Sequence, residues 1–401
     1  MRRTVVVIGT GYVGLPAALM WAKAGWPVIG VDINENIVRA INDHTLLLNE
    51  QELNQLLNDP VVQCNLTARS TPCEGDIFVI AVPTPVDHLK KVADMSCVEA
   101  AVRSICPLLK KGNLVILEST VPPMTCRRIL KPLIEQLTGL RVPEDIHVTH
   151  CPERILPGDI FREIVENDRL IGGMDATSTK LAKEAYAAFV TGALLETDDV
   201  SAELSKLMEN TYRDVNIALA NEFGMICESL GVDVKTVIGF ANRHPRVKIL
   251  SPGIGVGGHC IPVDPWFLKE VAPYTSRLIT TARLVNDEMP MRAAAKIRKA
   301  VSDIATPRIV LVGTTYKKNC EDMRESPASE IAQALKEDGY DFIHIDPLVP
   351  KMSYGSLAES AKGAHLLAIL VAHDSVMKEL HEKRDTIESS MARPCILLLD
   401  S

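Results

Sequence analysis

The chain has 401 residues, of which 47% are hydrophobic and 23% charged, a composition that excludes a disordered or collagen-like protein. A net charge of −8 and an aromatic content of 4% argue against a general nucleic-acid binder, which would carry basic surfaces or stacking aromatic residues. The ten cysteines lack C-x-x-C spacing, and no run of about 20 apolar residues indicates a membrane span. We therefore expect a cytoplasmic protein with free thiols and two or three domains.

The first 150 residues alternate short apolar runs with helical segments. Residues 4–8 (TVVVI) form the first predicted strand, residues 15–25 a helix and residues 27–32 (PVIGVD) the second strand. Because strands of a sheet covered on both faces are apolar throughout, this alternation predicts a parallel sheet. Further strands are predicted at residues 77–82, 113–118 and 146–150.

A glycine fingerprint separates the first predicted strand from the helix after it. It consists of Gly9, Gly11 and Gly14, and Asp32 ends the next strand 18 residues after the last glycine. Such glycines permit a tight turn and let backbone N–H groups approach a pyrophosphate. The aspartate can accept hydrogen bonds from a ribose 2′-hydroxyl and would repel a 2′-phosphate. This context predicts an NAD site rather than an NADP site, with a glycine-rich turn that binds no ligand as the alternative.

Residues 201–230 form a predicted helix of unusual length. They contain no proline and one glycine, Gly224, and their apolar residues recur at helical spacing. A helix of this length is about 45 Å long, more than most globular helices. It predicts a connection between domains or a surface for a second subunit.

A second α/β pattern begins near residue 308. A strand at residues 308–312 leads to Gly313, a helix at 328–337 and a strand that ends at Asp346, which repeats the plan of residues 4–32. We therefore predict an α/β protein with two Rossmann-like, doubly wound domains joined by a central long helix and helical segment. The predicted limits are residues 1–195 for the NAD-binding domain, 196–300 for the central helical domain and 301–401 for the C-terminal domain.

A glycine-rich segment, residues 253–264 (GIGVGGHCIPVD), surrounds Cys260. We interpret its glycines as serving a ligand rather than packing, because they would let backbone amides approach a phosphate or a developing oxyanion. The thiol can add to an aldehyde, and Asp264 can take part in proton transfer. A small buried hydrophobic residue is the alternative for the cysteine, and His259 is either a base or a turn residue.

Two other groups of polar residues carry weaker signals. Lys206, Asn210 and Arg213 are spaced to share one face of the long helix, although a solvated face has the same spacing. Glu153 directly follows a strand, where α/β proteins place their ligands. The ten histidines show no metal-ligand spacing, so we predict no metal site.

Over essentially its whole length, the chain resembles the UDP-glucose/GDP-mannose dehydrogenase family. The strings CPERILPG (151–158), ENDRLIGG (166–173), ANRHPRVKIL (241–250) and GVGGHCIPVDPWF (255–267) carry this resemblance, and they favour members that act on UDP-N-acetyl-D-mannosamine. The resemblance implies an NAD-dependent, four-electron oxidation of the sugar C6 alcohol to a uronate through a cysteine thiohemiacetal and thioester. UDP-N-acetylglucosamine and UDP-glucose stay open as substrates. The alternative outside enzymes is a catalytically inactive protein that senses NAD or a nucleotide sugar.

The resemblance also implies a homodimer or higher homo-oligomer, in which His244 and Arg246 can reach a neighbouring subunit's site. It further implies roles for individual residues. Cys260 would be the nucleophile, Lys206 the general acid/base and Glu153 the group that activates water. The implied catalytic residues are Cys260, Lys206, Asn210, Asp264, Glu153 and Thr120. The implied NAD contacts are Gly9, Gly11, Tyr12, Val13, Gly14, Asp32, Thr84, Thr120 and Arg324. The implied substrate contacts are Arg154, Ile155, Lys206, Asn210, Arg213, His244, Arg246, Gly257, Tyr316 and Lys317.

The sequence departs from the family at two positions. Relatives continue beyond the last strand with a basic residue that helps to hold the substrate, where this sequence ends Leu399-Asp400-Ser401. Ile37 stands where many relatives have an arginine after the ribose aspartate. We expect both differences to bear on affinity rather than on reaction type.

Overall fold

A computed structural model describes residues 2–45, 51–87, 89–154 and 160–399 of the protein. The chain divides into two compact units. The first runs to Glu209 and also includes Trp266–Val271, whereas the second consists of Asn210–Pro265 and Ala272–Ser401. The domain limits given above stay a prediction.

The first unit contains one large sheet and a small two-stranded hairpin, β5–β6. Its strands are β1 (Val5–Ile8), β2 (Val28–Val31), β3 (Leu66–Arg69), β4 (Ile77–Ile80), β5 (Val86–Asp87), β6 (Val92–Ala93), β7 (Leu114–Leu117), β8 (His147–His150), β9 (Arg169–Gly173) and β10 (Leu194–Asp198).

The large sheet has the order β10-β9-β8-β7-β4-β1-β2-β3. From β3 to β8 all neighbours are parallel, which gives the 3-2-1-4-5-6 order of a dinucleotide-binding fold. Strand β9 runs antiparallel to β8 and then pairs in parallel with β10. Every residue of β1, β4 and β7 is buried, so the predicted parallel sheet is confirmed.

Helices cover both faces of this sheet. Val5 and Val7 face one apolar core, which contains Trp21, while Val6 and Ile8 face the other, which contains Phe78. This alternation follows from the two-residue period of a strand. The helices are α1 (Gly14–Lys23), α2 (Glu35–Asn42), α3 (Gln51–Leu57), α4 (Pro60–Asn65), α5 (Ser96–Ile105), α6 (Lys131–Thr138), α7 (Ile160–Glu166), α8 (Ala176–Tyr186) and α9 (Asp199–Leu230), with a 3-10 turn at Cys106–Leu108 and a π-helical segment at Cys126–Leu130.

The long helix predicted from the sequence is confirmed. Helix α9 has 32 residues, which corresponds to about 48 Å. The division between the two units falls within it, after Glu209. A stripe of exposed apolar side chains runs along it, namely Leu204, Met208, Tyr212, Leu219, Ile226 and Leu230.

The second unit contains a four-stranded parallel sheet with the order β12-β11-β13-β14. Among the described residues, no helix combines the length and apolar character needed to span a bilayer. The strands are β11 (Ile309–Val312), β12 (Phe342–Ile345), β13 (Leu366–Ile369) and β14 (Ile396–Leu398). The remaining helices of the chain are α10 (Val234–Ala241), α11 (Asp264–Val271), α12 (Arg277–Ala300), α13 (Pro327–Glu337), α14 (Leu357–Ser360), α15 (Asp374–Glu382) and α16 (Arg384–Ser390), with a 3-10 turn at Pro350–Met352.

The repeated plan extends to individual hydrogen bonds. In the first unit, the Thr10 backbone N and Oγ1 donate to Asp32 Oδ2 at 3.0 and 3.1 Å. In the second unit, the Thr314 backbone N and Oγ1 donate to Asp346 Oδ2 at 2.7 and 3.2 Å. We call each arrangement a Thr–Asp clasp. Asp346 is fully buried and also lies 3.2 Å from His373 Nε2, whereas Asp32 stays partly exposed. The Asp32 carboxylate therefore has the access that a ligand requires.

Candidate active site

The glycine turn between β1 and α1 is shaped by three different constraints. Gly9 has a φ of +88°, and a Cβ there would lie 2.6 Å from the Ala81 carbonyl oxygen. A Cβ on Gly14 would lie 1.9 Å from the Gly9 carbonyl oxygen, so close packing of α1 requires this glycine. A Cβ on Gly11 would meet no atom within 4 Å, so internal packing does not require a glycine there. Open space beside backbone at the start of a helix fits a pyrophosphate.

The carboxylate of Asp32 is held in place at the end of β2. In addition to the Thr–Asp clasp, the Asn34 N–H donates to its Oδ1 at 2.9 Å. These bonds hold both oxygens at the same edge of the sheet as the glycine turn, because β1 and β2 are parallel. The arrangement fits a ribose 2′-hydroxyl.

Two predicted NAD contacts extend this edge of the sheet. Thr84 follows β4 and Thr120 follows β7, and the Thr84 Oγ1 donates to the Thr120 carbonyl at 2.6 Å. Tyr12 and Val13 lie within the glycine turn, and Tyr12 is partly exposed. Bound NAD at this edge would be held by the turn, the Asp32 carboxylate and these threonines.

A buried charge cluster, which the sequence analysis missed, surrounds the predicted base Glu153. Because β9 runs antiparallel to β8, its first residue, Arg169, lies near the segment that follows β8. Arg169 Nη2 pairs with Glu153 Oε2, and its Nη1 lies 3.2 Å from Glu118 Oε1. The Tyr186 hydroxyl donates to the same Glu118 oxygen at 2.5 Å, and its ring centre lies 4.4 Å from the Arg169 guanidinium carbon.

Burial has the largest effect on the two acidic groups Glu118 and Cys151. It raises the pKa of Glu118 to about 7, although the Arg169 charge acts in the opposite direction. The nearby thiol of Cys151 has its pKa raised to about 12 by the same loss of water, so it is protonated at neutral pH and not nucleophilic. The charges of Glu153 and Glu118 outweigh the effect of burial on Arg169 and raise its pKa.

Arg154 and Lys206 are predicted substrate residues of the first unit that lie outside this cluster of contacts. The Arg154 guanidinium pairs with Glu209 Oε1 at 3.0 Å and donates to the Asp168 carbonyl. Lys206 is partly buried on α9, and its charge adds to burial in lowering the pKa of His150 to about 3. The predicted substrate contact Ile155 lies outside the described residues.

One group of potential metal ligands is present among the described residues, formed by Cys126, His150 and Glu203. Their ligand atoms lie within 4.8 Å of one another, and all three side chains are buried. Both carboxylate oxygens of Glu203 already accept backbone N–H groups, from Met124 at 2.6 Å and from Cys126 at 2.9 Å. These bonds explain the buried carboxylate as a cap on the helical segment that begins there, without a metal ion.

The predicted nucleophile lies on a well-anchored loop of the second unit. Cys260 is exposed, and its Sγ lies 3.2 Å from His259 Nδ1. Its carbonyl accepts the Asp264 N–H at 3.0 Å, which fixes the turn before α11. Asp264 is buried, and its Oδ2 accepts a 2.6 Å hydrogen bond from Asn210 Nδ2. Partial desolvation and the charge of Arg324 lower the pKa of His259, so its ring is neutral at pH 7 and can accept a proton.

Gly257 and Gly258, directly before the cysteine loop's His259, have a packing role, so the interpretation that the glycines serve a ligand rather than packing was wrong for these two. Gly258 has a φ of +83°, and a Cβ there would lie 3.0 Å from the Tyr316 ring. A Cβ on Gly257 would lie 2.5 Å from the Glu325 carbonyl oxygen and 2.7 Å from the Tyr316 Cβ. The loop after β11 packs directly on the backbone of the cysteine loop and leaves no room for side chains.

The remaining predicted contacts of the second unit are more exposed. Arg213, His244, Arg246 and Lys317 are exposed side chains, and Tyr316 is partly buried against the cysteine loop. Arg324 Nε and Nη2 donate to Asp322, the shorter bond being 2.6 Å. Their roles toward NAD or substrate stay predictions.

The sheet order, the glycine turn and the fixed aspartate define the first unit as the NAD-binding part of a dehydrogenase. Residues 3–190 match the NAD binding domain of the UDP-glucose/GDP-mannose dehydrogenase family. Residues 200–288 match its central domain, and residues 310–398 match its UDP binding domain. The chain belongs to this family. It is an NAD-dependent nucleotide-sugar dehydrogenase, as the resemblance in sequence implied.

Similar proteins with known names cover nearly the whole chain. A UDP-N-acetyl-D-mannosamine dehydrogenase of Methanocaldococcus jannaschii is 44% identical over 400 residues, which are 98% of this chain and 91% of that protein. An NDP-N-acetyl-D-galactosaminuronic acid dehydrogenase of Ralstonia nicotianae is 44% identical over 391 residues, 94% of this chain and 92% of that protein. The structure of a UDP-D-ManNAc dehydrogenase from Pyrococcus horikoshii matches with a TM-score of 0.92 and 38% identity, over 98% of this chain and 94% of that one.

Proposed function

We propose that the protein oxidises the C6 alcohol of UDP-N-acetyl-D-mannosamine to the carboxylate. The observation that carries the proposal is the exposed Cys260 thiol, 3.2 Å from His259 on an anchored loop, in a chain of this family. The substrate is supported by the names of several similar relatives. The balanced reaction is R–CH₂OH + 2 NAD⁺ + H₂O → R–COO⁻ + 2 NADH + 3 H⁺.

The first half of the proposed mechanism converts the alcohol into a thiohemiacetal. Bound NAD supplies a hydride acceptor, once for the alcohol and once for the thiohemiacetal. Lys206 acts as the general base that accepts the alcohol proton while the aldehyde forms. The Cys260 thiol then gives up its proton and its sulfur forms a bond to C6, while the π bond of the carbonyl breaks and the aldehyde oxygen takes up a proton. The cysteine is needed because its sulfur gives C6 the additional substituent that makes loss of a second hydride favourable.

The second half releases the acid from a thioester. Loss of the second hydride and of the hydroxyl proton leaves C6 bonded to Cys260 as a thioester. A water molecule then attacks C6, and Glu153 accepts its proton. The C–S bond breaks, the sulfur regains a proton and the carboxylate leaves. Asn210 and Asp264, which hydrogen-bond at 2.6 Å, would support the oxyanion and the proton transfers beside the cysteine.

A second candidate substrate is a nucleotide-linked N-acetyl-D-galactosamine, a sugar that differs from N-acetyl-D-mannosamine at C2 and C4. Relatives named NDP-N-acetyl-D-galactosaminuronic acid dehydrogenase are as similar in sequence to this chain as those named for mannosamine, at 44% and 47% identity. Which of the two sugars is preferred depends on a few side chains around the sugar.

One assay tests substrate and reaction together. Purified enzyme is mixed with NAD⁺ and one UDP-sugar from a panel: N-acetylmannosamine, N-acetylgalactosamine, N-acetylglucosamine and glucose. NADH formed per sugar consumed is counted at 340 nm. We expect two NADH per sugar and the highest kcat/KM with N-acetylmannosamine. One NADH per sugar would contradict the thioester mechanism, and no NADH with any sugar would favour a protein that only binds these ligands.

We also propose a homodimer built on α9 and a cytoplasmic location. The exposed stripe on this helix includes Tyr212 at 65%, Ile226 at 53% and Leu230 at 70%. Exposed apolar stripes of this kind commonly mark protein–protein contacts. Sedimentation at micromolar concentration should show a dimer that Ile226→Asp weakens, with Glu222→Gln as a control on the same helix. A fully active wild-type monomer would contradict the proposal.

A further inference from the structure

Arg169 is a buried arginine to which the mechanism above assigns no role. Its side chain is 4% exposed, yet it contacts two carboxylates, Glu153 and Glu118. Arginine is rarely buried to this extent without a partner, because its charge must be compensated. The closer of the two contacts is the one with Glu153.

We propose that Arg169 is a positioning residue, which holds the Glu153 carboxylate in the orientation that accepts the proton of water. This inference rests on the proposed function. Arg169 holds Glu153 Oε2, while Glu153 Oε1 accepts the Arg154 backbone N–H at 2.7 Å. With both oxygens held, the carboxylate is fixed in orientation. A buried carboxyl group without a nearby cation favours its neutral form, which cannot accept a proton.

The rest of the cluster keeps Arg169 in this position. The Tyr186 ring packs against the guanidinium, and its hydroxyl donates to Glu118 Oε1. Tyr186 in turn packs against Trp21, with ring centres 5.2 Å apart. The second oxygen of Glu118, Oε2, has no hydrogen-bond partner among the described residues. Glu118 is therefore the less well satisfied carboxylate, and we assign it to holding the arginine rather than to chemistry.

A matched pair of variants isolates the effect of Arg169. Replacing the arginine alone would leave two buried carboxylates without a cation and would endanger folding. Glu118→Gln is therefore the reference, and Glu118→Gln with Arg169→Gln is the test variant, in which Glu153 is the one carboxyl group left in the cluster. Tyr186→Phe controls for general loosening, because it removes one hydrogen bond and keeps the pair of Arg169 with Glu153. Melting temperatures establish that each variant is folded.

The measurement separates hydride transfer from hydrolysis. Stopped-flow absorbance at 340 nm records the initial burst of NADH and the later steady rate, and intact mass records the acyl group on Cys260. Relative to the reference, the test variant should keep the burst, lose at least about tenfold in steady rate and accumulate the thioester. The pH profile of hydrolysis should also differ between the two variants, because only the reference keeps a cation beside the Glu153 carboxylate. Tyr186→Phe should lower the melting temperature without accumulation of thioester.

Three outcomes would overturn the inference. The first is a test variant that hydrolyses the thioester as fast as the reference. The second is a burst and a steady rate that fall by the same factor, because Arg169 would then support the unit as a whole. The third is a Glu153→Gln variant that does not stall at the thioester, because Arg169 would then have no base to position. Failure of the proposed function is recognised separately, in wild-type enzyme that forms no thioester.

Discussion

Removal of the Asp32 charge should relax the preference for NAD⁺ over NADP⁺. Both oxygens of this carboxylate are held, Oδ2 by Thr10 and Oδ1 by Asn34. Two unit charges about 4 Å apart repel each other by about 1 kcal/mol in water and about 4 kcal/mol near a protein surface. Because Asp32 is only partly buried, the lower half of that range applies, and the wild type should prefer NAD⁺ by one to two orders of magnitude. Asp32→Asn should remove most of this preference.

Binding of NAD⁺ and NADP⁺ by isothermal titration calorimetry measures this effect without any substrate. The ratio of the two dissociation constants is the quantity of interest, because Asp32→Asn would also weaken NAD⁺ binding by setting an amide N–H against a backbone donor. Asp346→Asn is the matched control, since it makes the same change in the other Thr–Asp clasp and should leave the ratio unaltered. Equal affinity of the wild type for both cofactors, or an unchanged ratio in Asp32→Asn, would refute the assignment.

Three further predictions concern the second unit. Cys260→Ala should lose turnover by several orders of magnitude and should form no covalent adduct detectable by intact mass. Cys260→Ser should stall with the sugar bound to the serine as an ester. Release of uronate by Cys260→Ala at a near wild-type rate would disprove the covalent route. Burial alone would raise the pKa of Asp346, but hydrogen bonds from His373 and Thr314 lower it to about 2. The ionised carboxylate should therefore contribute about 2 kcal/mol to the free energy of unfolding above about pH 4. This contribution should be lost as the pH falls towards about 2. Urea unfolding at both pH values should show this loss in the wild type but not in Asp346→Asn. Gly258→Ala should slow alkylation of Cys260 and lower the melting temperature, because the φ of +83° and the Tyr316 ring both oppose a Cβ at this position. Gly253→Ala is the control and should behave as wild type, because its new Cβ would have no atom within 4 Å.

The parts of the fold that follow from local pattern were predictable. Strands Val5–Ile8, Ile77–Ile80 and Leu114–Leu117 are buried at every position, so an apolar run was sufficient to identify them. The glycine turn and Asp32 were predictable for the same reason, because the whole signal lies within one βαβ unit. The repeated plan was visible as an order of elements, although the hydrogen bonds of the Thr–Asp clasp were not.

Features that depend on distant partners were missed. The role of Arg169 depends on Glu118, which is 51 residues away, and on the reversed direction of β9. A lone arginine at the start of a strand gives no sign of burial, because arginine is usually exposed. The glycines at 257 and 258 were misinterpreted for a similar reason, since the Tyr316 side chain that packs on them lies more than 50 positions later. The positions of Lys206 and Glu153 gave weak signals in the sequence, and their catalytic roles were assigned only through resemblance.

The packing of Tyr316 on Gly257 and Gly258 limits how this protein can be recombined with its relatives. A designer exchanging UDP binding domains would naturally cut between residues 288 and 310, where the central match ends and the C-terminal match begins. Such a chimera would combine the cysteine loop of one parent with the tyrosine loop of another, across contacts as close as 2.7 Å for a single added carbon. Residues 253–264 should therefore be exchanged together with residues 313–327. In a chimera, the cysteine loop should therefore come from the same parent as the C-terminal domain, even though helix α10 directly precedes this loop in the chain.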